Sequence, residues 1–359
     1  MDNYLAQEME FSYLYSENDT CVDSSCLEAR SLAGPIGVAL LSLIGLVGNL
    51  SIIYLVVRHK KLRNPPNILI INLTVGDLLY ILSASTFFIE KEISPSWEAA
   101  VSTCKLKAYV EDVGQSMCVF SLAALSRERY LAIVCGIENR RRRGSCSVNS
   151  LCAVAVVIST SLLLGIPSLV FASKTNYKQC NQFPTHEIVK KVFVSLRSVL
   201  GYVLPLAIVS FFYIRIASSL YKSVVQFDYT ESHAQQSRLR KRLAGIVLFI
   251  TVLFAIFWLP HFIHLHVRAY TSVELIALLP YPSYIDYLRI ISFLMALTNS
   301  CTNPWIVFVM SSTYRQRCCL FRCVWSRQRL RHGQGTMRLT TLTGTTRRTS
   351  ANVSQMSHV

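Results

Sequence analysis

The chain has 359 residues, of which 52% are hydrophobic and only 16% are charged, with a mean hydropathy of +0.38. Soluble domains carry roughly 25% charged residues, so this composition argues against a soluble protein and for one that is embedded in a membrane. The net charge of +16 does not indicate nucleic-acid binding, because the basic residues are confined to segments between apolar ones.

Seven apolar segments follow one another along the chain. Each is longer than the roughly 20 residues that a helix needs to cross a bilayer. Buried core helices are the alternative, but so many helices of this length in one chain are not typical of a globular core. The predicted fold is therefore an all-α membrane protein, a bundle of seven transmembrane helices. The predicted spans are residues 34–57, 67–89, 104–134, 148–172, 192–221, 243–267 and 287–310.

Basic residues predict the orientation of this bundle. Lys and Arg cluster after the first, third and fifth spans, and nine Arg but no acid follow Met310, whereas the first 30 residues carry seven acids and one Arg. Because Lys and Arg are enriched in cytoplasmic loops, the N-terminus is expected outside and the C-terminus in the cytoplasm, in the plasma membrane. The predicted parts are an extracellular tail (1–33), the bundle (34–311), a surface helix (312–323) and a disordered tail (324–359).

The outer side carries the predicted covalent modifications. The acidic N-terminus shows no signal peptide, so the first span is expected to act as the insertion signal. Asn18 lies in an N-D-T sequon and is predicted to be glycosylated. Cys104 at the outer start of the third span and Cys180 in the next outer loop face an oxidising compartment, which predicts a disulfide between them. Whether Cys21 and Cys26 form a second disulfide is left open.

Polar side chains inside the spans are unusual, because a polar group in the bilayer core is costly and is therefore a functional hypothesis by default. Two interpretations remain open for them: an ion or water site that couples helices two and seven, or a purely structural polar network. The residues are Asn49, Asp77, Asn299, Ser300 and Asn303.

The third span is bounded by charges at both ends. Glu111 and Asp112 precede Arg129 by about 18 residues, or ~27 Å of helix, which is close to the thickness of the hydrocarbon core. Because Cys104 marks the outer end, Arg129 is predicted at the cytoplasmic border.

In the sixth span, Pro260 closely follows Trp258, and a proline kink beside a large aromatic ring predicts a hinge for the inner half of helix six.

Short motifs recur along the spans in a fixed order. They are G-N-L at Asn49, N-L-x-x-x-D-L at Asp77, the pair Cys104 and Cys180, E-R-Y at Glu128 to Tyr130, Pro205 with Tyr213, F-x-x-x-W-L-P ending at Pro260, and N-P-W-I-V-F from Asn303 to Phe308. In this order the chain resembles the rhodopsin-like G-protein-coupled receptors over nearly its whole length. V-L-P-L-A-I-V-S-F-F-Y, R-K-R-L-A-G-I-V-L and T-N-S-C-T-N-P resemble the peptide branch that includes bombesin, endothelin and invertebrate CCHamide receptors.

The resemblance implies a role for each motif. Arg129 would contact the G-protein when helix six swings outward, and Glu128 would hold Arg129 at rest. Trp258 would report ligand occupancy, and Ile137 would insert into the G-protein. The other residues implied in coupling are Tyr130, Pro205, Tyr213, Phe254, Pro260, Asn303, Pro304 and Phe308.

Some positions depart from the family pattern. Asp77, Asn299 and Ser300 would hold a sodium ion, but Cys118 and Gly114 replace polar residues that usually complete its shell. We therefore predict no cofactor. Phe308 stands in place of a Tyr, and basic Arg240 replaces the family's acid at the foot of helix six, so Arg129 has no salt-bridge partner there.

The predicted ligand pocket carries both signs of charge, which suits an extracellular peptide such as a neuropeptide. Acids come from the third span and basic residues from the spans opposite. A buried pairing of Glu111 with Arg197 is the structural alternative, since buried charges are usually paired. The predicted pocket residues are Glu111, Asp112, Gln115, Arg197, Trp258, His261, His264, Arg268 and Arg289.

Other functions fit the sequence less well. Amine receptors have Asp at the position of Glu111, and a light receptor would need a Lys in helix seven, which this span lacks. A zinc site would need more than His261 and His264, which lie one turn apart. Neither the internal repeats of a transporter nor the nucleophile, base and acid of an enzyme are recognisable.

The residues after the seventh span are predicted to make several contacts on the cytoplasmic side. Residues 312–323 read as a basic amphipathic helix lying on anionic lipid. Cys318, Cys319 and Cys323 are predicted to be palmitoylated, with unmodified thiols as the alternative. The hydroxyl-rich segment beyond predicts phosphorylation and arrestin binding, with a plain linker as the alternative. The final S-H-V is a candidate ligand for a PDZ domain.

Overall fold

The computed structural model describes residues 24–93, 100–134, 144–174, 180–226, 231–271 and 284–317. The chain divides into two compact units, Met1–Ser311 and Ser312–Val359, which we describe separately. Several predicted sites lie outside the described residues, namely Asn18, Ile137, Cys318, Cys319 and Cys323, together with the tail 324–359.

In the described part of the first unit, seven long helices follow the order of the predicted spans. They are α1 (Ser24–Arg58), α2 (Pro65–Ile93), α3 (Val101–Ile133), α4 (Gly144–Phe171), α5, α6 (Glu231–Tyr270) and α7 (Tyr284–Met310). Helix α5 consists of Glu187–Ser198, a π-helical turn at Val199–Val203 and Leu204–Gln226. A 3-10 turn at Lys60–Leu62 lies between α1 and α2, and α8 (Ser312–Arg315) is a single helical turn in the second unit.

Among the described residues, six of these helices are long and apolar enough to cross a membrane. Helix α3 is the exception, because residues such as Lys105, Lys107, Glu111 and Asp112 lower its hydropathy. It packs against α2, α4, α5 and α6, so it has little need of an apolar, lipid-facing surface. The spans on the six apolar helices are Gly34–Arg58, Pro65–Glu90, Leu151–Phe171, Glu187–Ser219, Ala244–Tyr270 and Tyr287–Met310.

Helix α1 extends beyond the predicted bundle at its start. Helix α1 begins at Ser24, within the predicted extracellular tail, because the segment L-E-A-R-S-L-A is rich in good helix formers. The part of this helix that is long and apolar enough to cross a membrane is Gly34–Arg58. At the other end of the chain, the predicted surface helix is described only through Arg315 and a turn that ends at Arg317.

Proline explains the irregular turn in α5. Pro205 has no N–H group, so it cannot bond the carbonyl one helical turn before it. The N–H of Leu204 instead donates to the carbonyl of Val199, five residues back, which makes the π turn. One extra residue is thereby accommodated just before the proline, and the side chains on either side are rotated relative to each other.

A disulfide and a small sheet close one end of the bundle. Strand β1 (Ser173–Lys174) pairs antiparallel with β2 (Cys180–Asn181), with Lys174 opposite Cys180. Cys180 is bonded to Cys104 in the first turn of α3, at a Cα–Cα distance of 5.6 Å, which confirms the predicted disulfide. We call this the disulfide end, and we call the opposite end of the bundle the Arg129 end.

Two glycines bring α2 and α3 into backbone contact. A Cβ atom on Gly76 would lie 2.9 Å from the carbonyl oxygen of Gly114, and one on Gly114 would lie 2.8 Å from the carbonyl oxygen of Gly76. Real Cβ atoms essentially never approach so closely. Neither position can therefore accept a larger side chain unless the two helices separate.

Candidate functional site

Asp112 joins three helices near the disulfide end. Its Oδ1 atom forms an ion pair with Nη2 of Arg197 on α5, and its Oδ2 atom accepts a hydrogen bond from the hydroxyl of Ser168 on α4. The side chains of Asp112 and Arg197 are only 8% and 12% exposed. A buried charge requires a partner, so one carboxylate holds α3, α4 and α5 together.

Glu111 has a different environment from its neighbour. It is half-buried, and its Oε2 atom accepts a hydrogen bond from Nε2 of Gln182 at 3.2 Å. The alternative pairing of Glu111 with Arg197 is wrong, because Arg197 is paired with Asp112. Adjacent residues on a helix point about 100° apart, so only one of the two acids faces α5. The other, Glu111, has the neutral Gln182 as its hydrogen-bond partner.

A cavity lies between α3, α4 and α5 beside the Asp112 ion pair. Gln115 and Ser116 contribute polar groups from α3, and Gln115 is 3% exposed. Gly201 leaves space on the α5 side, since a Cβ there would have its nearest neighbours 3.8 and 4.0 Å away. The remaining walls are largely apolar and are formed by Leu164, Pro167, Phe193, Leu196 and Leu200.

The ring of Trp258 is the centre of an aromatic cluster. Trp258 is fully buried, and its ring centroid lies 4.9 Å from that of Tyr80 on α2 in an edge-to-face arrangement. On α6 itself, the centroids of Phe254 and His261 lie 5.6 and 5.4 Å away. These distances are in the favourable range for aromatic pairs. The ring of Trp258 is therefore packed on that of Phe254, which lies one turn closer to the Arg129 end.

The remaining predicted pocket residues lie on α6 and α7 at the disulfide end. His264 is buried and His261 is half-buried, whereas Arg268 is exposed, with its guanidinium 5.9 Å from the ring of Phe183. Arg289 is partly exposed near the start of α7. Within the described ranges there is no group of three His, Cys, Asp or Glu that suits a metal, so nothing here supports the zinc alternative.

Asp77 is the centre of the polar network between α2, α3 and α7. It is fully buried, and Nδ2 of Asn303 lies 3.2 and 3.0 Å from its two carboxylate oxygens. The thiol of Cys118 donates to Oδ1 at 3.2 Å. Asn49 on α1 donates to the carbonyl of Ser300 at 3.1 Å, which extends the network to the first helix. The predicted polar residues thus lie together.

Two positions near Asp77 offer no oxygen ligand to a sodium ion. Cys118 offers sulfur where a hard cation prefers oxygen. Gly114 provides no ligand, and its contact with Gly76 leaves no room for a larger side chain. Both amide atoms of Asn299 are buried without a hydrogen-bond partner among the described residues, which is an arrangement that ordered water satisfies. The absence of a cofactor stays a prediction.

Sodium is therefore expected not to stabilise the protein. The melting temperature of the purified protein should be the same in NaCl and in KCl at equal ionic strength, because a ligand stabilises only the state that it binds. The control is Asp77→Asn, measured in the same two salts, which corrects for effects of sodium elsewhere. A higher melting temperature in NaCl that disappears in Asp77→Asn would contradict this prediction.

Arg129 is buried, with 7% exposure, at the opposite end of α3. The carboxylate of Glu128 forms an ion pair with Arg127, at 3.4 Å between Nη1 and Oε1. Within the described part of the chain, no ion pair joins Glu128 to Arg129 itself. The ring of Tyr130 lies 5.5 Å from that of Phe212 on α5. The restraint of Arg129 by Glu128 therefore stays a prediction.

Helix α6 is packed against the rest of the bundle at the Arg129 end. Leu69 of α2, Leu125 of α3 and Val247 of α6 form one buried cluster. The hydroxyl of Tyr213 on α5 donates to the carbonyl of Ala244 on α6 at 2.8 Å. The described helices are therefore closed at this end, and α6 must lose these contacts before it can move outward.

The predicted motif on α7 lies in the interior. Phe308 is 1% exposed, and its ring centroid lies 6.1 Å from that of Trp305. A Cβ on Gly48 would lie 2.7 Å from the side chain of Pro304, so α1 and α7 are in direct contact there. Asn303 is bonded to Asp77, as described above. The motif thus joins α7 to both α1 and α2.

Comparison with known proteins identifies the family. A family model described as "7 transmembrane receptor (rhodopsin family)" matches residues 48–306, a range that begins in α1 and ends in α7. The chain belongs to the rhodopsin family of seven-transmembrane receptors. The receptor is accordingly a multi-pass membrane protein with a seven-helix bundle, and it is not an enzyme.

Two curated proteins place the receptor within this family. It is 30% identical over 293 residues to the bombesin receptor subtype-3 of Ovis aries, an alignment that covers 76% of this chain and 70% of the relative. It is 31% identical over 288 residues to the [Phe13]-bombesin receptor of Bombina orientalis, covering 76% of this chain and 71% of the relative. The resemblance to the bombesin branch is confirmed.

Sequence analysis missed three residues of the receptor's interior site. Gln182 follows Cys180 by two positions, so the disulfide brings it over α3. Tyr80 lies one helical turn after Asp77, on the same face of α2. Ser168, the partner of the helix-three acid, gave no signal in the sequence because a single Ser in an apolar helix usually bonds its own backbone.

Proposed function

We propose that the chain is a receptor for an extracellular peptide and passes the binding signal to heterotrimeric G-proteins. The observation that carries this proposal is the similarity, at 30% and 31% identity, to two proteins named as bombesin receptors. The family resemblance implies Gln at the position of Glu111 in bombesin receptors, so bombesin itself is not the proposed ligand. The test is a peptide-library screen on cells that express the receptor, read by intracellular calcium and by nucleotide exchange on each class of G-protein. No response in either readout would argue against the proposal.

The proposed orientation places the disulfide end outside the cell and the Arg129 end in the cytoplasm of the plasma membrane. It is supported by the basic clusters after the first, third and fifth spans and by the acidic first 30 residues. A disulfide also requires an oxidising compartment. Asn18 would then be available for glycosylation on the outer side.

The proposed ligand site is formed by α3, α5, α6 and α7 at the disulfide end, next to the cavity between α3, α4 and α5. Asp112 and Arg197 neutralise each other, which leaves Glu111, with a neutral hydrogen-bond partner, as the acid that can attract a basic group of the ligand. Arg268 and Arg289 supply positive charge on the other side of that site. A peptide with both a basic and an acidic or carbonyl-rich part fits this distribution of charge.

The proposed signal runs from the pocket through Trp258 and Phe254 to the Arg129 end. Pro260 is the proposed hinge, because the kink that proline introduces lies on the pocket side of both rings. When α6 swings outward, Arg129 would be exposed to the G-protein. Ile137, Tyr130, Asn303, Pro304 and Phe308 are proposed to take part in coupling, as the family resemblance implies.

Replacing Glu111 by Lys is expected to remove the response to a basic peptide agonist. A partly desolvated charge pair at an interface typically contributes about 2–5 kcal/mol, so potency in the calcium assay should fall by about 30-fold or more. Surface expression should stay near the wild-type level, because Glu111 is only half-buried and its partner Gln182 is neutral.

The matched control is Glu187→Lys. Glu187 is an exposed acid at the start of α5, also near the disulfide end, and the substitution makes the same change of charge. It is expected to leave potency within about twofold of wild type, since long-range effects of exposed charges are screened by salt. Equal potency of Glu111→Lys and wild type would remove Glu111 from the ligand site.

The part of the chain after α7 is proposed to bind further partners. Phosphorylated Ser and Thr in the tail would bind arrestin, and the C-terminal S-H-V would bind a PDZ domain. Palmitate on Cys318, Cys319 and Cys323 would hold residues 312–323 on the membrane lipid. Metabolic labelling with palmitate, compared between wild type and the triple Cys→Ser variant, tests the last of these.

A further inference from the structure

Three hydrogen bonds among the described residues join α5 to α6, and the middle one has no role in the function proposed so far. All three are hydrogen bonds of normal length that involve a tyrosine hydroxyl. They join Ser195 Oγ to Tyr270 Oη at 2.8 Å, Tyr202 Oη to the carbonyl of Ala255 at 2.7 Å, and Tyr213 Oη to the carbonyl of Ala244 at 2.8 Å. The middle contact lies between the ends of the bundle, beside the proposed hinge.

The π turn of α5 gives Tyr202 its direction. Tyr202 lies inside Val199–Val203, where the extra residue changes the rotation of the helix by about 100° relative to a regular α-helix. Its ring packs against α6, with centroids 6.4 Å from Phe254 and 4.8 Å from Phe262. The hydroxyl is thereby held against the backbone of α6, and it donates to Ala255.

The acceptor lies close to the hinge but on the moving side of it. Ala255 precedes Pro260 by five residues, or ~7.5 Å of helix, whereas Ala244 precedes it by 16 residues, or ~24 Å. A swing about Pro260 therefore displaces Ala255 by roughly one third as much as Ala244. A shift of about 1 Å at Ala255 would stretch the bond beyond hydrogen-bonding distance, and it corresponds to only ~3 Å at Ala244. The bond must therefore break by the time that Ala244 has moved by about 3 Å.

The geometry points to Tyr202 as a tether that holds the hinge segment of α6 in the closed position. In the closed receptor its hydroxyl bonds the Ala255 carbonyl, and it releases that carbonyl when α6 swings outward. This inference rests on the proposed G-protein coupling through α6. Tyr202 acts through the positions of Phe254 and Trp258, which follow the backbone of that segment, and it is therefore a positioning residue.

Tyr202→Phe tests the tether, because it removes the hydroxyl and keeps the ring contacts with Phe254 and Phe262. Polar contacts between membrane helices contribute about 0.6 kcal/mol on average and up to about 1.7 kcal/mol. Nucleotide exchange on purified G-protein without ligand, per receptor at the surface, should therefore rise by about threefold to 18-fold. A purely structural role would lower the amount of receptor at the surface without raising exchange per receptor.

Two control variants bracket this measurement. Ser195→Ala also removes one hydroxyl between α5 and α6, but its partner Tyr270 lies on the other side of Pro260 and does not move with the swinging half. It is expected to keep wild-type exchange. Glu128→Gln, which removes the predicted restraint on Arg129, is expected to raise exchange independently of the tether.

The outcomes separate the tether from the function on which it rests. A rise in Tyr202→Phe and none in Ser195→Ala supports the tether. If Glu128→Gln raises exchange and Tyr202→Phe does not, the tether is overturned and the coupling stands. An equal rise in Ser195→Ala and Tyr202→Phe also overturns it, because the effect would then not depend on the hinge. If no variant and no G-protein class gives exchange, the proposed coupling fails and the tether fails with it.

Discussion

Replacing Arg129 by Ala is expected to abolish agonist-stimulated nucleotide exchange while agonist binding and surface expression are retained. Arg129 is the buried basic residue at the end of α3, and in the proposed mechanism it meets the G-protein once α6 has moved. A central Arg in an interface typically contributes about 2–4 kcal/mol, so the affinity for G-protein should fall by about 30-fold to 1,000-fold. The measurement is nucleotide exchange on purified G-protein at matched receptor density.

Arg127→Ala is the matched control for this prediction. Arg127 is two positions away on the same helix, but its side chain is 44% exposed and paired with Glu128. Because Arg127 has no part in the proposed contact with the G-protein, most of the exchange should remain. If Arg129→Ala kept wild-type exchange, Arg129 would not be the contact, and the reading of the E-R-Y motif in this receptor would have to be abandoned.

Replacing Asp112 by Ala is expected to remove most folded receptor from the cell surface. The substitution leaves Arg197 as a buried charge without its ion-pair partner, and it also takes the hydrogen-bond acceptor away from Ser168. Breaking a buried pair in this way destabilises a protein by about 3–5 kcal/mol, which is a large part of the stability of a typical fold. Surface labelling of intact cells and the melting temperature in detergent measure the effect.

The double variant Asp112→Leu with Arg197→Met is expected to restore surface expression. Replacing both partners of a buried pair by apolar residues of similar volume is often neutral or stabilising. Glu111→Ala serves as the control, because it removes the neighbouring acid, whose partner is neutral, and should lower the melting temperature only slightly. If the double variant were no better than Asp112→Ala alone, lost charge pairing would not be the cause of the defect.

The order of the helices was predictable because each span must be apolar over a length that the bilayer sets. The disulfide was predictable from the compartment that two cysteines share. Helix α3 shows the limit of this reasoning. It could be assigned as the third of seven spans only from the pattern of the whole chain. Its polar residues are tolerated because other helices surround it, which hydropathy alone does not reveal.

The partners inside the bundle were harder to predict. Glu111 and Asp112 are adjacent acids, and a rotation of α3 by one residue would exchange their roles. That rotation is set by packing, including the contact of Gly76 with Gly114, and it leaves no trace in local sequence. The same holds for Tyr202, because the π turn that aims it depends on how α5 adjusts to Pro205. The sequence predicts which helix carries each of these residues, whereas their contact partners depend on how the helices pack.

Because Asp112 and Arg197 form a buried ion pair, loss-of-function variants of this receptor should fall into two groups. In a saturation mutagenesis experiment scored for both cell-surface abundance and signal per molecule, variants of Asp112, Ser168 and Arg197 should be depleted in the abundance score. Variants of Trp258 or Tyr202 should instead have altered signal per molecule at near-normal cell-surface abundance. Two separate populations of loss-of-function alleles would result, and only the first would respond to a pharmacological chaperone.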